Sequence, residues 1–245
     1  LRLGGGRIMK ELTTDHISKQ FNNELEMLRQ HFLTMGGVVE TQVQYAVQAL
    51  LDGNGSLAEE VKDKDLTVNQ LDGLIDEECR RILAKRQPAA SDLRMVLSIS
   101  KAVSELERIG DEAKKIANLT LNLVSEGESP RGYVEINRIG QMVSRMIHDT
   151  LDAYARLDID AAIKVAKQDH LVDQEYNTAM RSLVTYMMED PRSISRVINV
   201  IWVLRALERI GDHARYACQH LIFMVKGIDV RHIHANDLAN EIKGR

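Results

Sequence analysis

The pentapeptide Glu107-Arg108-Ile109-Gly110-Asp111 returns unchanged as Glu208-Arg209-Ile210-Gly211-Asp212. The first copy lies in a stretch where Val96, Ile99, Val103, Leu106, Ile109, Ala113, Ile116 and Leu123 recur in steps of three, four and seven. That is the period of a helix burying one face. The two copies are 101 residues apart, and other landmarks keep nearly the same offset. Pro88 and Pro191 differ by 103, Gly37 and Gly140 by 103, and Val68 and Val172 by 104. An internal duplication of about one hundred residues accounts for all of them.

Outward from the motif, the same periodicity marks the other helices. One begins near His16 and runs through Phe21, Leu25, Leu28, Phe32, Met35, Val39 and Val43; a second spans Ser56 to Arg86. The third starts at Ser91-Asp92 and ends at Gly127, in the position that favours a left-handed residue. After the linker Glu126–Gly132, helices are expected over roughly 133–157, 159–189 and 192–226, the last closed by Gly227. The fold class is therefore all-α, with two tandem, pseudo-symmetric three-helix bundles built from six long helices. The divisions are a leader over 1–15, repeats over 16–127 and 128–227, and a polar, aperiodic tail over 228–245. The leader reads as partly non-native, because Met9-Lys-Glu-Leu looks like a natural start.

Composition agrees. Three prolines and ten aromatic residues in 245 are few for a sheet protein. The net charge of −4 is spread evenly over the chain, leaving no basic patch for nucleic acid. Cys79 and Cys218 form no CxxC and have no histidine-rich neighbourhood, which suits a reducing compartment. No apolar run reaches the ~18 residues of a membrane span, and no secretory signal precedes the first helix. A cytoplasmic protein is expected.

The prolines act as rulers. Asp65 and Asn69 lie 23 and 19 residues before Pro88, while Glu107 and Asp111 lie 19 and 23 after it. Asp169 and Asp173 lie 22 and 18 before Pro191, and Glu208 and Asp212 lie 17 and 21 after it. In an antiparallel hairpin these positions come level, and each i,i+4 pair shares a helix face. Each repeat thus gathers four oxygen-bearing side chains, and clustered carboxylates call for a bridging cation or a proton. All-oxygen sets suit magnesium, manganese, calcium or oxo-bridged iron better than structural zinc. The metal sites expected are Asp65, Asn69, Glu107 and Asp111 in one repeat and Asp169, Asp173, Glu208 and Asp212 in the other. The ion stays open among Mg, Mn, Fe and Zn. The alternative is a set of salt bridges along the helices.

His213 and Glu112 follow the motif at matching places, where either is a further candidate ligand. Arg108 and Arg209 are candidates for an anion, although a local carboxylate such as Glu105 or Glu112 is the nearer partner for Arg108. Gly110 and Gly211 each cost about 1 kcal/mol inside a helix, which points to close backbone approach there. Trp202 and the methionines Met35, Met142, Met146, Met187, Met188 and Met224 read as core or interface filling.

With these stretches in view, the chain resembles the PhoU family of phosphate-specific transport accessory proteins. The likeness rests on the duplicated Glu-Arg-Ile-Gly-Asp, on Arg86-Gln87-Pro88-Ala89-Ala90-Ser91-Asp92-Leu93-Arg94, on Glu128-Ser129-Pro130-Arg131-Gly132-Tyr133 and on Tyr186-Met187-Met188-Glu189-Asp190-Pro191. The resemblance implies a cytoplasmic, non-enzymatic regulator that helps repress phosphate uptake and the phosphate-starvation response. It implies two partners, the ATPase subunit of the phosphate ABC transporter and the phosphate-sensing histidine kinase. The membrane is then met only through them. It also implies metal clusters at Asp65, Glu107 and Asp111 and at Asp169, Asp173, Glu208 and Asp212. Asn69 departs from a fully acidic pattern, so weaker or different cation binding is expected in the first repeat. Exposed apolar side chains on long helices predict a homodimer.

Two other readings differ in class. A ferritin-like di-metal enzyme needs Glu-xx-His pairs, and the chain has none. A phosphotransfer bundle rests only on His16-Ile-Ser-Lys19.

Overall fold

The computed structural model describes the backbone of residues 5–88, 90–125, 133–233, 237, 238 and 241, and side chains from residue 19 on. Six helices follow one another: α1 (Gly5–Asp52), α2 (Gly55–Arg86), α3 (Ala90–Ser125), α4 (Tyr133–Arg156), α5 (Ile159–Glu189) and α6 (Ile194–Lys226). A 3-10 turn over Pro191–Ser193 leads into α6. The helical backbone of α1 extends through residues 5–15, the stretch read as a leader. The linker Glu126–Gly132, with Gly127, and the side chain of His16 lie outside the described residues.

Local chemistry sets the helix ends. Asn54 and Asp158 cap α2 and α5, accepting from the backbone N–H of Leu57 and Ala161 at 3.1 and 3.0 Å. Gln87 at φ 48° ends α2, and Gly227 at φ 72° ends α6 with its N–H on the Phe223 carbonyl, the left-handed cap expected there.

Helices α1, α2 and α3 pack together, as do α4, α5 and α6, and the two bundles share one hydrophobic core. They meet along α3 against α6, the most extensive helix contact, and along α1 against α4. Leu106, Ile109 and Ala113 are buried as the period requires. At the α1–α4 crossing Phe32 packs against Tyr154 with ring centroids 4.5 Å apart and planes tilted by 45°, and the Tyr154 hydroxyl donates to the Ala217 carbonyl at 2.8 Å. A Cβ on Gly140 would stand 2.8 Å from Val47 Cγ1. The close contact on the other side falls to Gly36, against Leu151; nothing lies within 4 Å of a Cβ on Gly37, the residue that pairs with Gly140 by sequence offset.

Burial sorts the side chains that sequence left undecided. Of the residues read as core or interface filling, Met35, Met146 and Met224 are in the core, while Trp202, 57% exposed, and Met188, 79% exposed, stay at the surface. The tail is also tied down in part, since Val230 and Leu238 are fully buried. Both cysteines are buried free thiols whose pKa burial pushes up to about 12, which leaves them unreactive at neutral pH. Among the described residues no helix is long and apolar enough to cross a membrane.

Gly140→Val is expected to force α1 and α4 apart and to lower stability by about 1–3 kcal/mol, the usual range for overpacking. Gly37→Ala is expected to be neutral or slightly stabilising. Urea denaturation of the two variants checks the contrast.

Candidate functional site

Each hairpin brings its acids to one height, and each also brings a basic side chain among them. In the first repeat Asp65 is 2% exposed on α2. The Lys114 ammonium on α3 meets its Oδ2 at 2.6 Å, and the Asn69 amide donates to the same oxygen at 3.3 Å. Burial raises the pKa of Glu107, and the charges of Asp111, Asp72 and Asp65 add to the rise. Asp72, which the spacing did not single out, belongs to this field; its own pKa rises through burial and then through Asp76.

The second repeat repeats the scheme with a guanidinium. Arg215 Nε lies 2.6 Å from Asp169 Oδ2, and its Nη2 donates to Asp212 Oδ1 at 2.7 Å. Glu208 accepts from Arg205 Nη1 at 2.6 Å, while its buried Oε2 has no partner. Burial, seconded by Asp212 and Asp173, outweighs the nearby Arg215 and pushes Asp169 up to about 6. Burial also raises Asp173, ahead of the Asp212 charge, and raises Glu208 despite Arg205. Burial works against the charge on Arg215, yet its hydrogen bond to Asp212 and the field of Asp169 hold its pKa above the ordinary value.

The helix-interior glycines make room for this. A Cβ on Gly211 would lie 3.2 Å from Asp169 Oδ1, and one on Gly110 would lie 3.0 Å from Gln42 Oε1 and 3.4 Å from Val68. Neighbouring side chains, not a neighbouring backbone, make the close approach at these glycines, and at Gly211 the approaching group is an acid of the cluster itself.

Sequence reasoning missed the resident cations, although the signal was present. Lys114 and Arg215 each stand three residues past the motif aspartate, at the offset of 101 that separates the pentapeptides. The structure also removes His213 from the acid cluster. It is buried at the α3–α6 seam, with Nδ1 2.7 Å from Glu105 Oε2. Glu112 is likewise occupied, by Lys115 at 2.9 Å and Arg209 at 3.2 Å. Arg108 does face Glu105, loosely, at 3.8 Å.

Among the described residues, no three carboxylate, imidazole or thiol groups converge closely enough to ligate one ion. The donor chemistry nonetheless suits a hard cation. Four carboxylates in the second cluster face two guanidiniums, one carboxylate oxygen is unpartnered, and three of the acids have raised pKa values. The excess is negative, and the donors are all oxygen.

The raised pKa of Asp169 has a signed consequence. The folded state holds this proton more firmly than the unfolded chain, so Asp169 adds stability as pH falls from above 6 towards 4. Compared with Asp169→Asn, the unsubstituted protein is expected to gain up to about 3 kcal/mol across that window, the equivalent of a two-unit shift. Denaturant titrations at pH 7, 6, 5 and 4 measure the difference, and a constant gap between the two proteins would refute it.

Comparison with known proteins now gives the geometry a context. The family described as the PhoU domain matches twice, over residues 32–120 and over 136–221. The phosphate-specific transport system accessory protein PhoU homolog of Pseudomonas aeruginosa is 58% identical over 236 residues, covering 96% of this chain and 98% of that one. The PhoU accessory protein of Escherichia coli K12 is 45% identical over 230 residues, covering 94% and 95%. The crystal structure of PhoU from Pseudomonas aeruginosa superposes with a TM-score of 0.83 at 59% identity, covering 85% of this chain and all of that one. The phosphate transport system regulatory protein PhoU of Streptococcus pneumoniae gives 0.79 at 31% identity, covering 86% and 99%.

Proposed function

The chain belongs to the PhoU family, and from that premise we propose that it is an accessory regulator of phosphate-specific transport. The observation that carries the reading is the double domain match, which falls once on each structural repeat and sits inside relatives matched over nearly their full length. In finer terms, the protein restrains phosphate uptake and the phosphate-starvation response when phosphate is plentiful. It does so as a signalling adaptor in the cytoplasm, coupling the ATPase subunit of the phosphate ABC transporter to the phosphate-sensing histidine kinase. It reaches the membrane only through these partners, binds no nucleic acid, and acts by contact and not by catalysis.

The surface offers means for contact. Val184 and Met188 on α5 and Ile194, Ile198 and Trp202 on α6 are exposed apolar side chains near the Pro191 turn. Single exposed apolar residues are ordinary, but five flanking one hairpin tip favour protein–protein contact, whether with a partner or in a homodimer.

The acid clusters are read as cation sites that tune these contacts. Asp65, Asn69, Glu107 and Asp111 would hold one ion or cluster, and Asp169, Asp173, Glu208 and Asp212 the other, with Mg, Mn, Fe or Zn as the occupant. A bound cation would supply the positive charge that these carboxylates lack. Lys114 and Arg215 are its internal competitors.

Pull-down of the transporter ATPase and the sensor kinase, with and without divalent metal, tests the regulatory reading beside a deletion strain. Binding of either partner, together with loss of repression in the deletion strain, is expected. No interaction and unaltered repression would overturn it. For the cation sites, Asp212→Ala is expected to lower the metal content of protein purified without a metal-affinity step, leaving helicity intact. Unchanged stoichiometry by elemental analysis counts against the second site.

A further inference from the structure

Away from the acids, on the α3–α6 seam, a cleft of about 340 Å³ opens between α3, α6 and the start of the tail. Lys101, Ser104 and Arg108 line it from α3, at the three- and four-residue steps that define one helix face. Gln219 and His220 line it from α6, and Arg231 from the tail. Arg231 is held in place by its chain neighbour Val230, which is buried, and by an Asx turn in which its backbone N–H donates to Asp229 Oδ1 at 3.1 Å.

Three permanent cations therefore face one cleft, and their charge is only partly covered. Lys101 makes no ion pair among the described residues, and Arg108 reaches Glu105 only at 3.8 Å. Arg231 is the best covered of the three, since its Nε and Nη2 both donate to the Asp229 carboxylate, at 2.9 and 2.6 Å. Glu105 is the one carboxylate in the lining, and one of its oxygens is engaged across the seam. His213 Nδ1 lies 2.7 Å from one, and His220 Nε2 lies 4.0 Å from the other. Gln219 is 3% exposed and its buried Oε1 accepts no hydrogen bond from the protein. His220 is nine-tenths buried; burial, with repulsion from Lys101 and Arg231, lowers its pKa against the pull of Glu105 and Asp229. Against these three cations stand two carboxylates, Glu105 and the Asp229 bound to Arg231, so the cleft keeps a net positive charge, centred on Lys101, beside groups that can donate hydrogen bonds.

Nor is it a by-product of duplication. At the offset of 101, Lys101 corresponds to Trp202, Glu105 to Ala206 and His220 to Leu119. The repeats share their acid clusters but not this set of side chains.

We infer that this cleft binds a tetrahedral oxyanion of the phosphate class, with Lys101, Arg108 and Arg231 supplying charge and Ser104 and His220 supplying hydrogen bonds. Arginine and lysine together give the directional and point-charge contacts that such anions take. The inference stands on the cleft alone, so it survives or fails independently of the partners proposed above.

The test is NMR of the histidine ring protons of the full chain, in EDTA so that metal at the acid clusters contributes nothing. Inorganic phosphate and AMP are titrated separately, against chloride at matched ionic strength. The His220 signal, assigned by its loss in His220→Gln, is expected to shift saturably with one or both anions, and its pKa to rise at saturation. Phosphate alone acting points to the free ion, and AMP acting more strongly points to an esterified ligand. Lys101→Glu is expected to weaken binding by about tenfold or more, while the exposed control Lys164→Glu leaves it unchanged. No saturable shift at millimolar concentrations of either anion would overturn the inference. So would equal binding by a folded Lys101→Glu protein.

Discussion

A carboxylate pressed against a helix and cut off from water must find a positive charge or take up a proton. Asp65 and Asp169 are 2% and 7% exposed, and each finds its charge on the opposite helix of its hairpin, from Lys114 and from Arg215. Desolvation offsets much of the attraction in such pairs, so they add little net stability. Slippage is another matter. Moving α3 along α2, or α6 along α5, would strand a buried charge, which typically costs about 3–5 kcal/mol. The pairs therefore fix the height at which the hairpin helices meet, and that height brings the remaining acids together.

The seam between repeats obeys different chemistry. Helices α3 and α6 come from equivalent places in the duplicated sequence, yet their polar contacts are not related by symmetry. His213 stands at the position that Glu112 holds in the other repeat, and Glu105 has Ala206 as its counterpart. The Glu105–His213 pair and the Glu112–Arg209 pair thus each occur once. The apolar core can tolerate an approximate two-fold axis, because buried aliphatic side chains need only fill space. Buried ions need specific partners, and their placement distinguishes the two halves.

Helix periodicity and the proline ruler made most of this legible. A three-four period reports which face is buried, and distance from a turn reports level, so six helices and two acid groups follow from counting. Side-chain reach does not follow from counting. Level pairing sets Asp65 opposite Asp111, but the four-carbon stem of Lys114 carries an ammonium back across a helical turn to the same carboxylate. Trp202 shows that residue type alone left core and interface open, where phase would have decided. Val200, Val203 and Leu207 are buried on α6, and Trp202 falls outside that stripe. Val230 and Leu238 are isolated apolar residues in a polar, aperiodic segment, so no period reports their burial. Asp72 stands seven residues from Asp65, two turns along the same face, beyond the i,i+4 pairs that drew attention.

On the cation-binding reading, the resident charges also change which repeat is the more receptive. Asn69 argues for weaker binding in the first repeat, because an amide carbonyl carries no charge. Competition argues the other way. Lys114 is 40% exposed and makes one contact to the cluster, so it can withdraw into water with its charge solvated. Arg215 is 23% exposed, spans two carboxylates and lies over the Tyr216 ring at 4.4 Å. Displacing it breaks two charged contacts and a cation–π contact together. A cation entering the second cluster meets more carboxylate, but it must also evict a better-held competitor. The ammonium is released more readily than the guanidinium, and the two terms oppose each other. Receptivity is therefore set by the basic residue three positions past each motif aspartate as much as by the acids themselves.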